Sequence, residues 1–299
     1  MLRVERKQIM ILWLNCDDNL ITYTKKNYLL LAAKRLGYTS ENKDSPYTIL
    51  DLKKRIDEPL EYVLNIDPFS KFVTGTKWTG IWEIDNILDR NELSASNWVC
   101  SDTVFIANSP LPAKMLPHKH LAEILFQACD PIIHRLYKNI IPEFDFVFSG
   151  SSGNEFHEKR SYYLNLLRSK FSFADYGKDH APKDYAKLLN SGRIQFVQSG
   201  TTSVAPDGYI AQRFFECLAI GPVLTNFHPD LGLLGLVENE DYMVFHNEIE
   251  LIIKMHLLLE DDALRNKIQA NGRKKALLLH TYDLRLISIL SKIREHCGQ

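Results

Sequence analysis

The sequence predicts an α/β protein of two consecutive domains, each an open parallel sheet covered by helices. Three observations carry this expectation. The chain has 299 residues, beyond the roughly 100–200 residues of a usual single domain. Short apolar runs that end in polar or turn residues alternate with helical or irregular connections, the pattern of successive parallel βα units. Hydrophobic residues make up 45% and charged residues 24% of the chain, an ordinary globular composition that can fill two cores.

In chain order, QIMILWLN is a continuous apolar run that suits a strand buried on both faces. YTKKNYLLLAAKRLG follows as a helix closed at Gly37, where glycine adopts the left-handed cap conformation at little cost. The runs YTILDL, EYVLNID, TGIWEID and SDTVFIANS read as further strands of the first domain. Recurrent prolines from Pro110 to Pro142 and the stretch LFQACDPIIHRLYKNIIP suggest a crossover between domains. The second series comprises strand EFDFVFSG, a helix through HEKRSYYLNLLRS, SFADYG, helix YAKLLNSG and strand RIQFVQSG. After these come helix YIAQRFFECLAIG and strands PVLTN and YMVFHN. One long helix from Ile249 to His280 is expected to close the domain. The boundaries expected are 1–135, 136–275 and a C-terminal helical segment, 276–299, packing back across the lobes.

Formal net charge is -1, with 36 Lys plus Arg against 37 Asp plus Glu, so no global field recruits nucleic acid or an anionic membrane. The N-terminal apolar run before Asn15 is too short for a signal peptide or a membrane span, and a cytoplasmic protein is expected. Five cysteines, Cys16, Cys100, Cys129, Cys217 and Cys297, are odd in number and lack a CxxC pair. That pattern argues against a disulfide framework or a zinc site.

Two stretches carry chemistry. In FSGSSGNEFHEKR, Gly150 lets the chain approach a ligand closely, and amides at the following helix start can bind phosphate. In YIAQRFFECLAIGPVLTN, the stripe Ile210, Phe214, Cys217 and Leu218 can face a sheet, which turns Arg213 and Glu216 to another side of the helix. Arg213 could neutralise a phosphate, and the acceptor-only carboxylate of Glu216 suits the vicinal hydroxyls of a ribose. An ordinary solvated ion pair is the competing account of those two residues.

RFFECLAIGPVLTN resembles the R-x-F-E segment of the CgeB-like, spore maturation type glycosyltransferases. GIWEID, ACDPIIH, DFVFSGSSGNEFHEKRSYYLNLL, YAKLLNSGRIQ and HTYDLR resemble that family's other segments in the same order. The resemblance implies the GT-B fold, two Rossmann-like domains facing a cleft with the C-terminal helix crossing between the lobes. It implies transfer of a sugar from a nucleotide-diphosphate donor, a UDP-sugar above all, to a hydroxyl acceptor, with no essential metal and no further cofactor. The donor site implied comprises Gly150, Ser151, Arg160, Lys178, His180, Tyr209, Arg213 and Glu216. Gly208 stands eight residues before Glu216 where related transferases carry a first glutamate, so retaining and inverting chemistry both stay open. An inverting transfer needs a base on the acceptor side, for which Asp17, Asp18 and Asp85 are the catalytic candidates. The acceptor could be a glycan, a protein, a small molecule or hydroxymethylated DNA of phage type. A non-enzymatic nucleotide-sugar sensor and an epimerase-type isomerase on the same fold are the rival readings.

Overall fold

The computed structural model describes residues 11–14, 25–42, 63–65, 79–82, 103–107, 121–150, 158–176, 182–199 and 210–296. The chain forms two compact units. One holds Met1–Leu20, Lys26–Leu125 and Leu286–Gln299, the other Ile21–Lys25 and Phe126–Arg285.

In the first unit, β1 (Ile11–Leu14) pairs in parallel with β2 (Thr39–Asn42), and α1 (Lys25–Arg35) links them. Helix α1 buries Tyr28, Leu29, Leu30, Ala32 and Ala33. It ends in a Schellman arrangement: Tyr38 N–H donates to the Ala33 carbonyl at 2.9 Å and Gly37 N–H to that of Lys34 at 3.2 Å, with Gly37 at φ +78. An L side chain is disfavoured at that φ, so the glycine ends the helix where the sequence predicts. Strands β3 (Val63–Asn65), β4 (Thr79–Trp82), β5 (Thr103–Ala107) and β6 (Leu121–Ile124) form a second parallel sheet in that order. Strands β2 and β6 are additions to the sequence reading. TSEN is polar, and LAEI is hidden within the proline-rich run. The strand expected at YTILDL lies outside the described residues.

The second unit contains one five-stranded sheet: β7 (Phe144–Ser149), β8 (Phe173–Tyr176), β9 (Gly192–Val197), β10 (Val223–Asn226) and β11 (Met243–Phe245). All its pairings are parallel and its order is β11-β10-β9-β7-β8. Four helices complete the winding: α2 (Glu158–Arg168), α3 (Pro182–Asn190), α4 (Gln212–Leu218) and α5 (Glu248–Glu260). Successive strand residues point to opposite faces. Phe146, Phe148, Ile194, Phe196 and Leu224 therefore pack with Leu164, Leu167, Leu251, Met255 and Leu258 on one side. Val147, Val197 and Val223 pack with Tyr185, Leu189, Phe214, Phe215 and Leu218 on the other. Ile210, Phe214, Cys217 and Leu218 are all buried, so the stripe predicted for α4 does face the sheet.

The single long helix expected from Ile249 to His280 is two helices. Asp261 sits in extended backbone at φ -99, ψ 91 between α5 and α6 (Asp262–Leu279), and its side chain accepts the Leu264 N–H at 2.9 Å. A local side-chain acceptor for an orphan amide outweighs the continuous apolar periodicity at that point. A further helix, α7 (Tyr282–His296), contains the division between the two units. Among the described residues no helix is long and apolar enough to cross a membrane.

Candidate functional site

Counted from its own first strand, the second unit's sheet has the order 2-1-3-4-5, so the winding reverses between β7 and β9. Ligands of open α/β sheets bind beyond the carboxyl ends of the strands at such a point. Buried polar groups with no hydrogen-bond partner among the described residues collect there. They are Ser149 Oγ at the end of β7, Gln198 Oε1 and Ser199 Oγ after β9, Thr225 Oγ1 near the end of β10, and His228 Nε2 beyond it. Each of these residues is at most 4% exposed. The strand alternation places Ser149, Ser199 and Thr225 on the sheet face that α4 covers. A buried polar atom left unpaired costs about 1–3 kcal/mol, so several along one edge make it the candidate ligand surface. His228 Nδ1 accepts the Asp230 N–H at 3.1 Å, which leaves Nε2 as the protonated nitrogen.

Positive charge accompanies these groups. Arg160, on α2, is 6% exposed and donates from Nη2 to the Gln198 carbonyl at 3.2 Å, bridging the first strand's helix to the end of β9. Its Cζ lies 5.8 Å from the Phe148 ring centroid, and that of Arg213 lies 5.5 Å from the same ring. Arg213 lies against the backbone of Gly150. A β-carbon there would come within 2.7 Å of the guanidinium carbon and 2.8 Å of Nη2, and the φ of +140 is one that L residues rarely adopt. Glycine at 150 thus permits the guanidinium to reach the end of β7. Two guanidinium groups thus lie beside one ring at the carboxyl edge, a geometry that suits phosphate oxygens.

Glu216, on the same helix as Arg213, is held by other side chains. It is 2% exposed, and its carboxylate accepts the Tyr185 hydroxyl at 2.8 Å and Gln212 Nε2 at 2.6 Å. His134 Nε2 stands 3.7 Å from Oε1. Burial lowers the His134 pKa and raises that of Tyr185 well above the usual tyrosine range, with the nearby carboxylate raising the latter further. An exposed ion pair is therefore not the role of Glu216. Its supporting residues come from α3, α4 and the ACDPIIH segment, three places that sequence periodicity does not connect.

Of the predicted site residues, Gly150, Arg160 and Arg213 gather at the carboxyl edge, and Glu216 lies on the same helix as Arg213. Ser151, Lys178, His180, Tyr209, Asp17, Asp18 and Asp85 lie outside the described residues. The sequence reading did not include Ser149, Gln198, Ser199, Thr225 or His228. Their position directly after the apolar core of three parallel strands was the available signal.

ACDPIIH and HTYDLR form a seam elsewhere in the unit. Cys129 and Thr281 make a parallel bridge, with Cys129 N–H donating to the His280 carbonyl at 2.9 Å and Tyr282 N–H to that of Cys129 at 3.0 Å. Arg285, 7% exposed, donates to the carbonyls of Phe126, Gln127 and Leu279 at 2.5, 3.3 and 3.0 Å, and to His280 Nδ1 at 2.7 Å. Burial, then the adjacent guanidinium, lowers the His280 pKa to about 4. Burial raises the Cys129 thiol to about 12, an unreactive buried sulfur.

A family model described as "Glycosyl transferase-like" matches residues 130–291, more than half of the chain. Solved structures share the fold. AviGT4, a glycosyltransferase involved in avilamycin A biosynthesis, matches with a TM-score of 0.67 at 11% identity, over 97% of this chain and 99% of its own. Sucrose-phosphate synthase from Thermosynechococcus elongatus matches with a TM-score of 0.61 at 10% identity, over 95% and 99%. Anabaena HepE in complex with UDP and glucose matches with a TM-score of 0.56 at 11% identity, over 97% and 99%. No curated protein matches the sequence. The family match spans the sheet, the glycine and both guanidinium groups described above, and with the shared α/β GT-B fold it establishes that this chain belongs to the glycosyl transferase-like family and is a glycosyltransferase.

Proposed function

We propose that this glycosyltransferase moves a sugar from a nucleotide-diphosphate donor, a UDP-sugar foremost, to a hydroxyl acceptor without an essential metal, and that its sequence places it near the spore maturation type. The observation that carries the reading is the row of buried polar groups, unpartnered among the described residues, at the reversal of the second sheet and beside Arg160 and Arg213. A diphosphate supplies acceptors for guanidinium groups and for the His228 Nε2–H, and a sugar or ribose supplies hydroxyls for Ser149, Gln198, Ser199 and Thr225. The UDP and glucose held by HepE are ligands of this class. Glu216, anchored by Tyr185 and Gln212, is the proposed ribose acceptor, and Ser151, Lys178, His180 and Tyr209 complete the proposed donor set. Positive charge fixed before the reaction stabilises a departing diphosphate in the place a metal would take. Asp17, Asp18 and Asp85 remain the proposed bases.

The test is calorimetric titration with UDP, GDP, UDP-glucose and UDP-N-acetylglucosamine, followed by a turnover assay with and without EDTA. Saturable binding of at least one of these, and turnover that survives EDTA, is the expected result. No binding by any nucleotide would overturn the donor assignment. Turnover abolished by EDTA and restored by a divalent cation would overturn the metal-independent chemistry. Full turnover in Asp17→Asn, Asp18→Asn and Asp85→Asn alike would remove the proposed bases.

A further inference from the structure

The opposite edge of the same sheet carries a cavity. It has a volume of about 470 Å3 and is lined by Pro142, Gly192 and Pro222, which stand at or just before the first residues of β7, β9 and β10. In a parallel sheet the amino ends of all strands share one edge, so this cavity lies a full strand length, roughly 15–20 Å, from the candidate donor edge. Its volume falls in the range of about 300–1,000 Å3 typical of small-molecule sites.

Two features of the lining point to a ligand. Gln195, fully buried in the centre of the sheet, donates from Nε2 to the Leu189 carbonyl at 2.7 Å and to that of Gly192 at 3.4 Å. Its carbonyl oxygen accepts no hydrogen bond among the described residues, and the residue lines the cavity. One of the lining residues therefore carries a desolvated acceptor with no donor among the described residues. The charge is one-sided: among the described residues Lys138, Arg193 and Arg265 line the cavity and no carboxylate does. Arg193 and Arg265 share one counterion, Asp262, at 3.2 and 2.5 Å, so with Lys138 the described lining keeps an excess of two positive charges. Leu136, Ile140 and Ile220 supply apolar wall, and Leu136 is exposed at 44%.

We infer that this cavity is a second ligand site, for an amphipathic anion: an apolar body against Ile140 and Ile220, and a negative charge at Lys138, Arg193 and Arg265. All its walls belong to the second unit, and it does not depend on the identity of the donor.

The probe is 1-anilinonaphthalene-8-sulfonate, which combines fused rings, one N–H and a sulfonate. It is titrated by fluorescence against the full chain and the variants Lys138→Glu, Ile140→Glu and Arg213→Ala. The neutral N-phenyl-1-naphthylamine, with the same rings and N–H, serves as comparison. One saturable site is expected, weakened about tenfold or more in Lys138→Glu and Ile140→Glu, since each puts a negative charge at the cationic lining. Binding unchanged in Arg213→Ala, and about tenfold weaker for the neutral probe, complete the expected result. Circular dichroism melts establish that each variant is folded. Absence of a saturable site, equal affinity in both charge-adding variants, equal affinity for the neutral probe, or loss of the signal in Arg213→Ala would each overturn the inference.

Discussion

The seam around Cys129, His280 and Arg285 and the carboxyl edge around Ser149, Thr225 and His228 are made from the same kinds of buried polar side chain. In the seam, Arg285 and both nitrogens of His280 have protein partners: Nδ1 meets Arg285 and Nε2 the Leu234 carbonyl at 2.9 Å. At the edge, five side chains each bury a polar atom with no partner among the described residues. Motif likeness alone does not separate the two, since ACDPIIH and HTYDLR resemble family segments as much as RFFECLAIG does. Hydrogen-bond satisfaction separates them. Paired buried groups hold the fold together, and the unpaired ones are what single out the candidate site.

The sharpest way to break this contrast is Arg285→Met. It strands three backbone carbonyls, and we expect unfolding free energy in urea to fall by about 3 kcal/mol or more. Nucleotide affinity per folded molecule should be unchanged. A variant as stable as the parent would show that the seam is not a structural element.

The seam should also set the acid limit of stability. His280 is held neutral, its pKa about 4 against an ordinary 6.5. The unfolded chain therefore takes up a proton first as pH falls. This stability is fully present above about pH 6.5 and is lost progressively down to pH 4, by about 3 kcal/mol in total. His134, also lowered by burial, acts in the same direction. Urea melts across that window should show the loss, and His280→Gln should flatten it while leaving the part that belongs to His134.

At the edge the order of effects reverses. Arg213→Ala should weaken UDP binding by about 2–3 kcal/mol, through the loss of a charge-assisted contact, with little change in melting temperature. Calorimetry with parallel melts checks both. The smallest effect discriminates most directly. Thr225→Val replaces an unpartnered hydroxyl by a methyl of equal size, so the free protein should gain up to about 1 kcal/mol of stability while nucleotide affinity falls. Thr281→Val, in the seam, removes the oxygen that accepts the Leu284 N–H at 3.3 Å. It should lose about 1 kcal/mol, as for other helix caps, and leave affinity untouched. The same stability change in both variants would erase the distinction.

The family resemblance, not the residues alone, grouped Arg213 with Gly150 in one expected site, while the sequence by itself determined the α/β class, most strand positions and the Gly37 stop. These depend on hydrophobic period, on glycine's freedom at positive φ and on residue type, all of which are local. It misjudged the run from Ile249 to His280, where one aspartate's side-chain hydrogen bond divides what periodicity joins. Only the tertiary structure decided that Glu216 is buried between Tyr185, Gln212 and His134. It alone showed that Arg285 spans three carbonyls, and that Ser149, Ser199 and Thr225 share an edge without partners among the described residues. Whether a buried polar group is satisfied depends on atoms brought together from distant parts of the chain, and that assembly is made by the packing of the sheet rather than by any neighbouring residue.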